Sequence, residues 1–245
     1  MQVLWVTLAA LVTALATGLG ALPFAFVHRP SRSWIGVASA IAAGFMLSAS
    51  VVLLLEGATK SVWRTVLGVV LGGATVWFAH RRVGERDDLA VGALRGADAR
   101  KAILIVVVMT VHSFSEGIGV GVAYGGGNEI GVFITAAIAV HNIPEGLAIS
   151  LVLIPRGATV LAAAGWSVFS SLPQPLMAAP AFAFVEAFDR FLPVGFGFAG
   201  GAMAWLVFAE LVPDARAELT SRRFAAAIGG SFAAMSAFQL LFLSR

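Results

Sequence analysis

The 245-residue sequence contains no cysteine and few charged residues. The absence of cysteine excludes disulfide bonds, zinc knuckles and thiolate ligands, so any metal site must use nitrogen, oxygen or thioether donors. Only 12% of the residues are charged and 59% are hydrophobic, whereas a soluble domain carries about 25% charged residues. Together with a mean hydropathy of +0.93, this composition predicts a membrane protein with several spans.

The sequence is basic, with a pI near 10.2. In a soluble protein this value would suggest a nucleic-acid partner. Here the basic residues lie mostly in short intervals between apolar segments, where they set the orientation in the membrane. We therefore predict no nucleic-acid binding.

Long polar intervals are also scarce. A spanning helix needs about 20 mainly apolar residues, and the sequence predicts an all-α protein in which residues 1–245 form one transmembrane domain with eight spans. The predicted spans are Val3–Val27, Trp34–Leu55, Val62–Ala79, Ala102–Tyr124, Ile130–Ile154, Ala158–Val185, Leu192–Val212 and Phe224–Leu243. The longest polar interval, residues 80–101, is predicted to be a solvated linker.

The basic residues predict the orientation of these spans. If the N-terminus lies outside, twelve of the sixteen Lys and Arg residues fall in loops on the inner side. Because inner loops are enriched in Lys and Arg, we expect both termini outside the cytoplasm and residues 80–101 inside it. The predicted location is the cell membrane, plasma or inner.

Ionisable residues inside spans are costly and by default mark a site or a pathway. The fourth span contains "HSFSEG" with His112 and Glu116, and the fifth contains "HNIPEG" with His141 and Glu145. The i, i+4 spacing places each pair on one helical face. Consecutive spans joined by a short loop are expected to be antiparallel neighbours, so the two polar faces can meet.

Two imidazoles and two carboxylates from facing helices form a four-ligand cage for a divalent metal such as zinc. Pro144 lies inside the second motif, where it removes a backbone hydrogen bond, frees the carbonyl of Val140 and predicts a kink. Interrupted helices are tolerated at membrane depth where they line a cavity. The pattern therefore indicates a transport site more than a structural histidine.

The two motifs on consecutive helices of an eight-span chain resemble the ZIP (Zrt/Irt-like protein) family of divalent metal transporters. "FSSLPQPLMAAP", "GAMAWLVFAELVPDA" and "AAGFMLSAS" are similar to the sixth, seventh and second helices of that family. The resemblance implies an alternating-access carrier that moves zinc, and often iron, manganese or cadmium, toward the cytoplasm. The metal is then a substrate bound between the fourth and fifth helices, and no cofactor is expected.

The resemblance also implies roles for individual residues. It assigns the main metal site to His112, Glu116, His141 and Glu145, with Met46 as a nearby thioether contact. It places Ser113, Asn142 and Gln174 beside a second metal position. Because these three side chains are neutral, we expect one principal ion. Glu210, with Asp214, is expected to receive the ion near the cytoplasmic exit.

Two other classes of function use the same residues differently. An intramembrane zinc hydrolase could hold a metal-activated water with Glu116 or Glu145 as general base, although the sequence has no His-Glu-x-x-His motif. A channel or a structural membrane protein would not need two carboxylates beside two imidazoles, since tight binding slows exit. The expected partners of the carrier are the metal ion and the lipid bilayer, and a homodimer is left open.

Overall fold

The computed structural model describes residues 2–27, 31–84, 90–91, 94–125 and 127–243. Its helices are α1 Gln2–Gly18, α2 Leu22–Phe26, α3 Arg32–Gly84, α4 Gly96–Gly125, α5 Asn128–Leu153, α6 Val160–Ser171, α7 Pro173–Ala183, α8 Val185–Asp189, α9 Leu192–Leu206, α10 Val212–Glu218 and α11 Ser221–Leu243. Short 3-10 turns lie at Leu19–Ala21 and Ile154–Arg156, and a π-helical segment, Val207–Leu211, joins α9 to α10. Two-residue strands, β1 Ala90–Val91 and β2 Leu94–Arg95, pair in antiparallel fashion. The predicted all-α class is confirmed for the described residues apart from this one small pairing.

The predicted linker 80–101 is shorter in the structure, because helices enter it from both sides. The helix α3 continues to Gly84 and α4 begins at Gly96. Arg81 and Arg82 occupy the last turn of α3, where cations interact favourably with the helix dipole, and their guanidinium groups lie over the rings of Trp77 and Phe78. Residues 85–89 and 92–93 lie outside the described part, as does His28.

Six stretches of the described residues are long and apolar enough to cross a membrane. They are Gln2–Phe26, Arg32–Phe78, Ala99–Gly125, Gly131–Arg156, Leu192–Glu218 and Ser221–Leu241. This number differs from the eight predicted spans at two places. The second stretch contains two predicted spans, which the extended backbone of Ser61 separates (φ −166°, ψ 106°). The predicted span Ala158–Val185 is divided between α6 and α7, which have 12 and 11 residues.

The long helices pack in two groups. The first bundle consists of α1, α4, α5, α6 and α7, and the second bundle consists of α3, α9, α10 and α11. The two bundles meet where α4 packs on α9 and where α5 packs on α3. Small residues allow the backbones to approach closely, as is usual for membrane helices: Gly68 and Gly72 of α3 face backbone atoms of α9. The helices α4 and α5 of the first bundle therefore line the interface between the bundles.

A second close approach joins α1 to α5 inside the first bundle. A Cβ atom at Gly146 would collide with the backbone carbonyl of Thr17, and one at Gly20 would collide with the backbone of Gly146 and Leu147. The glycine that ends the "HNIPEG" motif therefore lets α1 lie directly against α5.

This contact predicts that Gly146→Ala destabilises the folded protein. The added methyl group meets backbone, which cannot rotate away, so we expect a loss of about 1–3 kcal/mol or more, seen as a lower thermal unfolding midpoint in detergent. Gly165→Ala is the matched control, because nothing lies within 4 Å of its Cβ position. Equal midpoints for the two variants would contradict the close packing of α1 on α5.

Candidate metal centre

The four ionisable residues of the two motifs converge between α4 and α5. His112 and Glu116 lie one turn apart on α4, and His141 and Glu145 lie one turn apart on α5. All four side chains are buried, and one ligand atom from each lies within 4.8 Å of the others. The helix α5 continues across Pro144, so the proline does not end the helix between its two polar residues.

The imidazole nitrogens lie close to the carboxylate oxygens. His112 Nε2 lies 3.4 Å from Glu116 Oε1 and 3.0 Å from Glu145 Oε1, and His141 Nε2 lies 3.8 Å and 3.0 Å from the same two oxygens. Tetrahedral zinc with bonds of about 2.0–2.2 Å has ligand–ligand edges of about 3.3–3.6 Å. The four nitrogen–oxygen distances fall within this range or on either side of it, so the donor atoms are close to the spacing that a zinc ion requires.

Several atoms of the four side chains make no hydrogen bond of acceptable geometry among the described residues, although His112 Nε2 and His141 Nε2 each lie 3.0 Å from Glu145 Oε1. They are Nδ1 and Nε2 of His112, Nε2 of His141 and both carboxylate oxygens of Glu145. An unpaired buried polar group costs about 1–3 kcal/mol, and more when it is charged. A divalent cation would offset this cost. Its two positive charges would balance the two carboxylates, while the imidazoles would remain neutral ligands. The donor set thus fits a metal ion better than it fits a hydrogen-bonded cluster.

A cavity of about 430 Å³ reaches this centre from one end of the molecule. Glu116 and His141 belong to its wall, whereas Glu56 and Lys60 of α3 line it farther away. Its mainly apolar lining comes from both bundles and extends along α4 and α5 toward the turn between them. The centre is therefore connected to one end of the interface between the bundles.

A chain of neutral side chains leads from the carboxylate of Glu116 through Gln174 to Asn142 and Thr13. Gln174 Nε2 donates a hydrogen bond to Glu116 Oε2 at 2.6 Å. Asn142 Nδ2 and Thr13 Oγ1 donate to Gln174 Oε1 at 3.1 and 2.5 Å, and Asn142 Nδ2 also donates to the carbonyl of Thr13 at 2.8 Å. Ser113 is fully buried and its hydroxyl has no partner among the described residues. The structure thus brings Gln174 to the centre as a donor to Glu116.

Comparison with protein families matches residues 80–237 to the family described as ZIP Zinc transporter. A putative zinc transporter of Arabidopsis thaliana is 44% identical over 242 residues, which are 98% of this chain and 39% of the relative. The zinc transporter GufA of Myxococcus xanthus is 30% identical over 219 residues, which are 84% of this chain and 86% of the relative. The chain belongs to the ZIP zinc transporter family. The resemblance seen in the two motifs is thereby confirmed.

Membership in a family of zinc transporters agrees with the prediction that the chain is not an enzyme. Together with the long apolar helices, it indicates a multi-pass membrane protein. The chain spans 39% of the length of its Arabidopsis relative, so functions that depend on the remainder of that protein are not transferred to it.

Two further predicted site residues are Met46 and Glu210, and Glu210 is not part of the cluster of four. Met46 is 1% exposed and packs in the main apolar core, which also contains Met109 and Ile149. Glu210 lies in the π-helical segment, and its Oε2 is 2.9 Å from Lys101 Nζ. Lys101 also contacts Asp214 at 2.8 Å. The ion pairs connect the first turns of α4 to the second bundle.

Thr13 is a neighbour of the centre that the two motifs do not reveal. It lies on α1, far from the motifs in the sequence, and its side chain is fully buried. Thr13 and Thr17 are four residues apart in a span whose one other hydroxyl side chain is Thr7. This spacing indicates a polar stripe on one face of α1, which was the available signal.

Proposed function

We propose that the chain carries zinc, and other divalent transition metals of similar chemistry, across the membrane toward the cytoplasm by alternating access. The transported ion binds His112, Glu116, His141 and Glu145. The observation that supports this most is the convergence of four buried donor atoms at ligand spacing in a chain of the zinc transporter family. Imidazole and carboxylate donors suit zinc and its neighbours in the transition series.

We further propose eight membrane crossings with both termini outside. The extended residue Ser61 divides α3 into two segments, each long enough to cross. The helices α6 and α7 follow each other across Leu172 and together contain 23 residues, 12 and 11 respectively, which matches the length of one span. Dividing α3 at Ser61 adds one crossing to the six long stretches, and counting α6 with α7 as one crossing adds another, which gives eight.

This orientation gives the two ends of the interface different roles. The turn between α4 and α5 lies outside, so the cavity beside Glu116 and His141 opens to the exterior. The ion pairs of Lys101 with Glu210 and Asp214 lie near the cytoplasmic end. Entry from outside is then open, whereas release through Glu210 requires Lys101 to leave its carboxylate partners.

A hydrolytic role fits the centre less well. A catalytic zinc keeps one coordination position open for water. Here four donor atoms of the protein lie within 4.8 Å of one another, so a bound ion could take four ligands from the protein and need no water. Binding without an open position suits an ion that is carried.

The first prediction concerns the ligands themselves. His141→Ala and Glu145→Gln are expected to lower zinc uptake into proteoliposomes by at least about 10-fold, since even outer-shell changes cost 10–100-fold at metal sites. Glu129→Gln is the matched control, because it makes the same change at an exposed position in the first turn of α5. Normal uptake by both site variants, at equal membrane insertion, would rule out this centre as the transport site.

The second prediction concerns pH. Imidazole binds a metal only through a free nitrogen, so binding displaces protons wherever the histidines are protonated, and zinc affinity should fall as pH decreases from about 7.5 to 5. Titration calorimetry in buffers of different ionisation enthalpy measures the released protons. If the affinity and the heat are the same in every buffer across this range, the imidazoles are not ligands.

The third prediction concerns the number of ions. Two adjacent divalent cations need more negative charge than two carboxylates supply. In addition, Glu116 Oε2 already accepts a hydrogen bond from Gln174. Elemental analysis of the purified protein should therefore give about one tightly bound zinc per chain. Gln174→Glu should raise this number, whereas Gln2→Glu, the same change at an exposed residue, should not. Two ions about 4 Å apart in the unmodified protein would show that neutral ligands suffice.

A further inference from the structure

The two oxygens of Glu116 have different environments. Oε1 faces the imidazoles of His112 and His141, at 3.4 and 3.8 Å. Oε2 points away from them and accepts the hydrogen bond from Gln174 at 2.6 Å. Glu116 therefore offers one oxygen to the centre and one to α7.

The hydrogen bonds of Gln174 determine which end of its amide faces Glu116. Its Oε1 accepts from two donors, Asn142 Nδ2 and Thr13 Oγ1. If the amide were rotated by half a turn, its NH2 group would face the NH2 group of Asn142, and its carbonyl would face a carboxylate. Both contacts are repulsive, so the two donors keep the NH2 group of Gln174 on Glu116.

Thr13 is the part of this arrangement that lies farthest from the centre. Its hydroxyl is 2.5 Å from Gln174 Oε1 and 2.6 Å from the carbonyl of Ala10, so its single proton is shared between two acceptors. Thr13, Asn142 and Gln174 are all fully buried, and water is not available to replace a lost donor. A change at the hydroxyl is therefore transmitted to the Gln174 amide.

We propose that Thr13 is a positioning residue of the metal centre: through Gln174 it holds Glu116 so that only Oε1 is presented to the transported ion. This inference rests on the proposed transport site. Thr13 of α1 would then influence the coordination geometry, because a Glu116 carboxylate that is restrained to one oxygen gives a four-coordinate ion. A carboxylate released by Gln174 can bind through both oxygens and gives a five-coordinate ion.

Thr13→Val tests this role because it removes the hydroxyl and keeps the shape of the side chain. The hydrogen bond from Asn142 to the carbonyl of residue 13 is retained. We expect zinc affinity, measured by titration calorimetry on the purified full chain, to fall about 3- to 10-fold, as loss of one hydrogen bond implies. With Co²⁺ as the probe ion, the visible absorption should weaken as the coordination number increases. Thr13→Ser retains a hydroxyl and should restore both values.

Thr17→Val is the matched control. Thr17 is one turn away on the same helix, is equally buried, and pairs with Ser171 Oγ at 2.8 Å without a hydrogen bond to the centre. Its variant should bind zinc and Co²⁺ as the unmodified protein does. If Thr13→Val does not insert, Thr13→Ala provides the same loss of the hydroxyl with a smaller side chain.

Two results would overturn the proposal. An unchanged Co²⁺ spectrum in Thr13→Val, or equal losses of affinity in the Thr13 and Thr17 variants, would mean that Thr13 contributes only to helix packing. Failure of the unmodified protein to bind zinc would instead contradict the proposed transport site, and with it any role for Thr13. The unmodified protein is therefore measured first, so that the two failures are distinguished.

Discussion

Two carboxylates and two imidazoles lie between α4 and α5, with imidazole nitrogens 3.0 to 3.8 Å from carboxylate oxygens. The group lies within a bundle of apolar helices, where Glu116 and His141 border a cavity, and five of its polar atoms make no hydrogen bond of acceptable geometry among the described residues. The cost of this burial constrains the surrounding structure. It is reduced for Glu116 by the neutral amide of Gln174, whereas the carboxylate oxygens of Glu145 make no such hydrogen bond among the described residues. In the proposed transporter, a site of this kind is more stable with its metal ion bound than without it.

The glycine that ends each motif follows from the same constraint. A Cβ at Gly117 would meet the backbone of Gln174 on α7, and a Cβ at Gly146 would meet the backbone of Thr17 on α1. These glycines therefore allow two further helices to approach the helices that carry the ligands. The approaching helices supply Gln174 and Thr13, which complete the hydrogen bonds around Glu116. In each motif, the histidine and glutamate supply donor atoms, while the glycine gives space to the helix that orients them.

The sequence was sufficient to predict the helical class and the convergence of the four motif residues. Both predictions rest on local rules: the helical class follows from composition, and the shared face follows from i, i+4 spacing. The surrounding contacts could not be derived in this way, because they join positions far apart in the chain. Thr13 and Gln174 are separated by 161 residues, and Lys101 and Asp214 by 113. The division of α6 from α7 was also missed, although Pro173 and Pro175 follow Leu172, because a proline can kink a span without ending it.

The interface between the bundles is asymmetric, and this asymmetry bears on how a carrier of the proposed type could work. At one end a cavity reaches Glu116 and His141, while His112 and Glu145 are at most 1% exposed and lie behind them. At the other end the ammonium group of Lys101 lies within 3 Å of both Glu210 and Asp214, so it holds the place that an arriving cation would take. In the proposed carrier, a tethered cation at these carboxylates would keep them from competing with the central site while the cavity is open. Because Lys101 belongs to α4 and Glu210 to the segment joining α9 and α10, movement of the first bundle along the second would separate them. Such a movement would expose the carboxylates at the time when the ion has to leave.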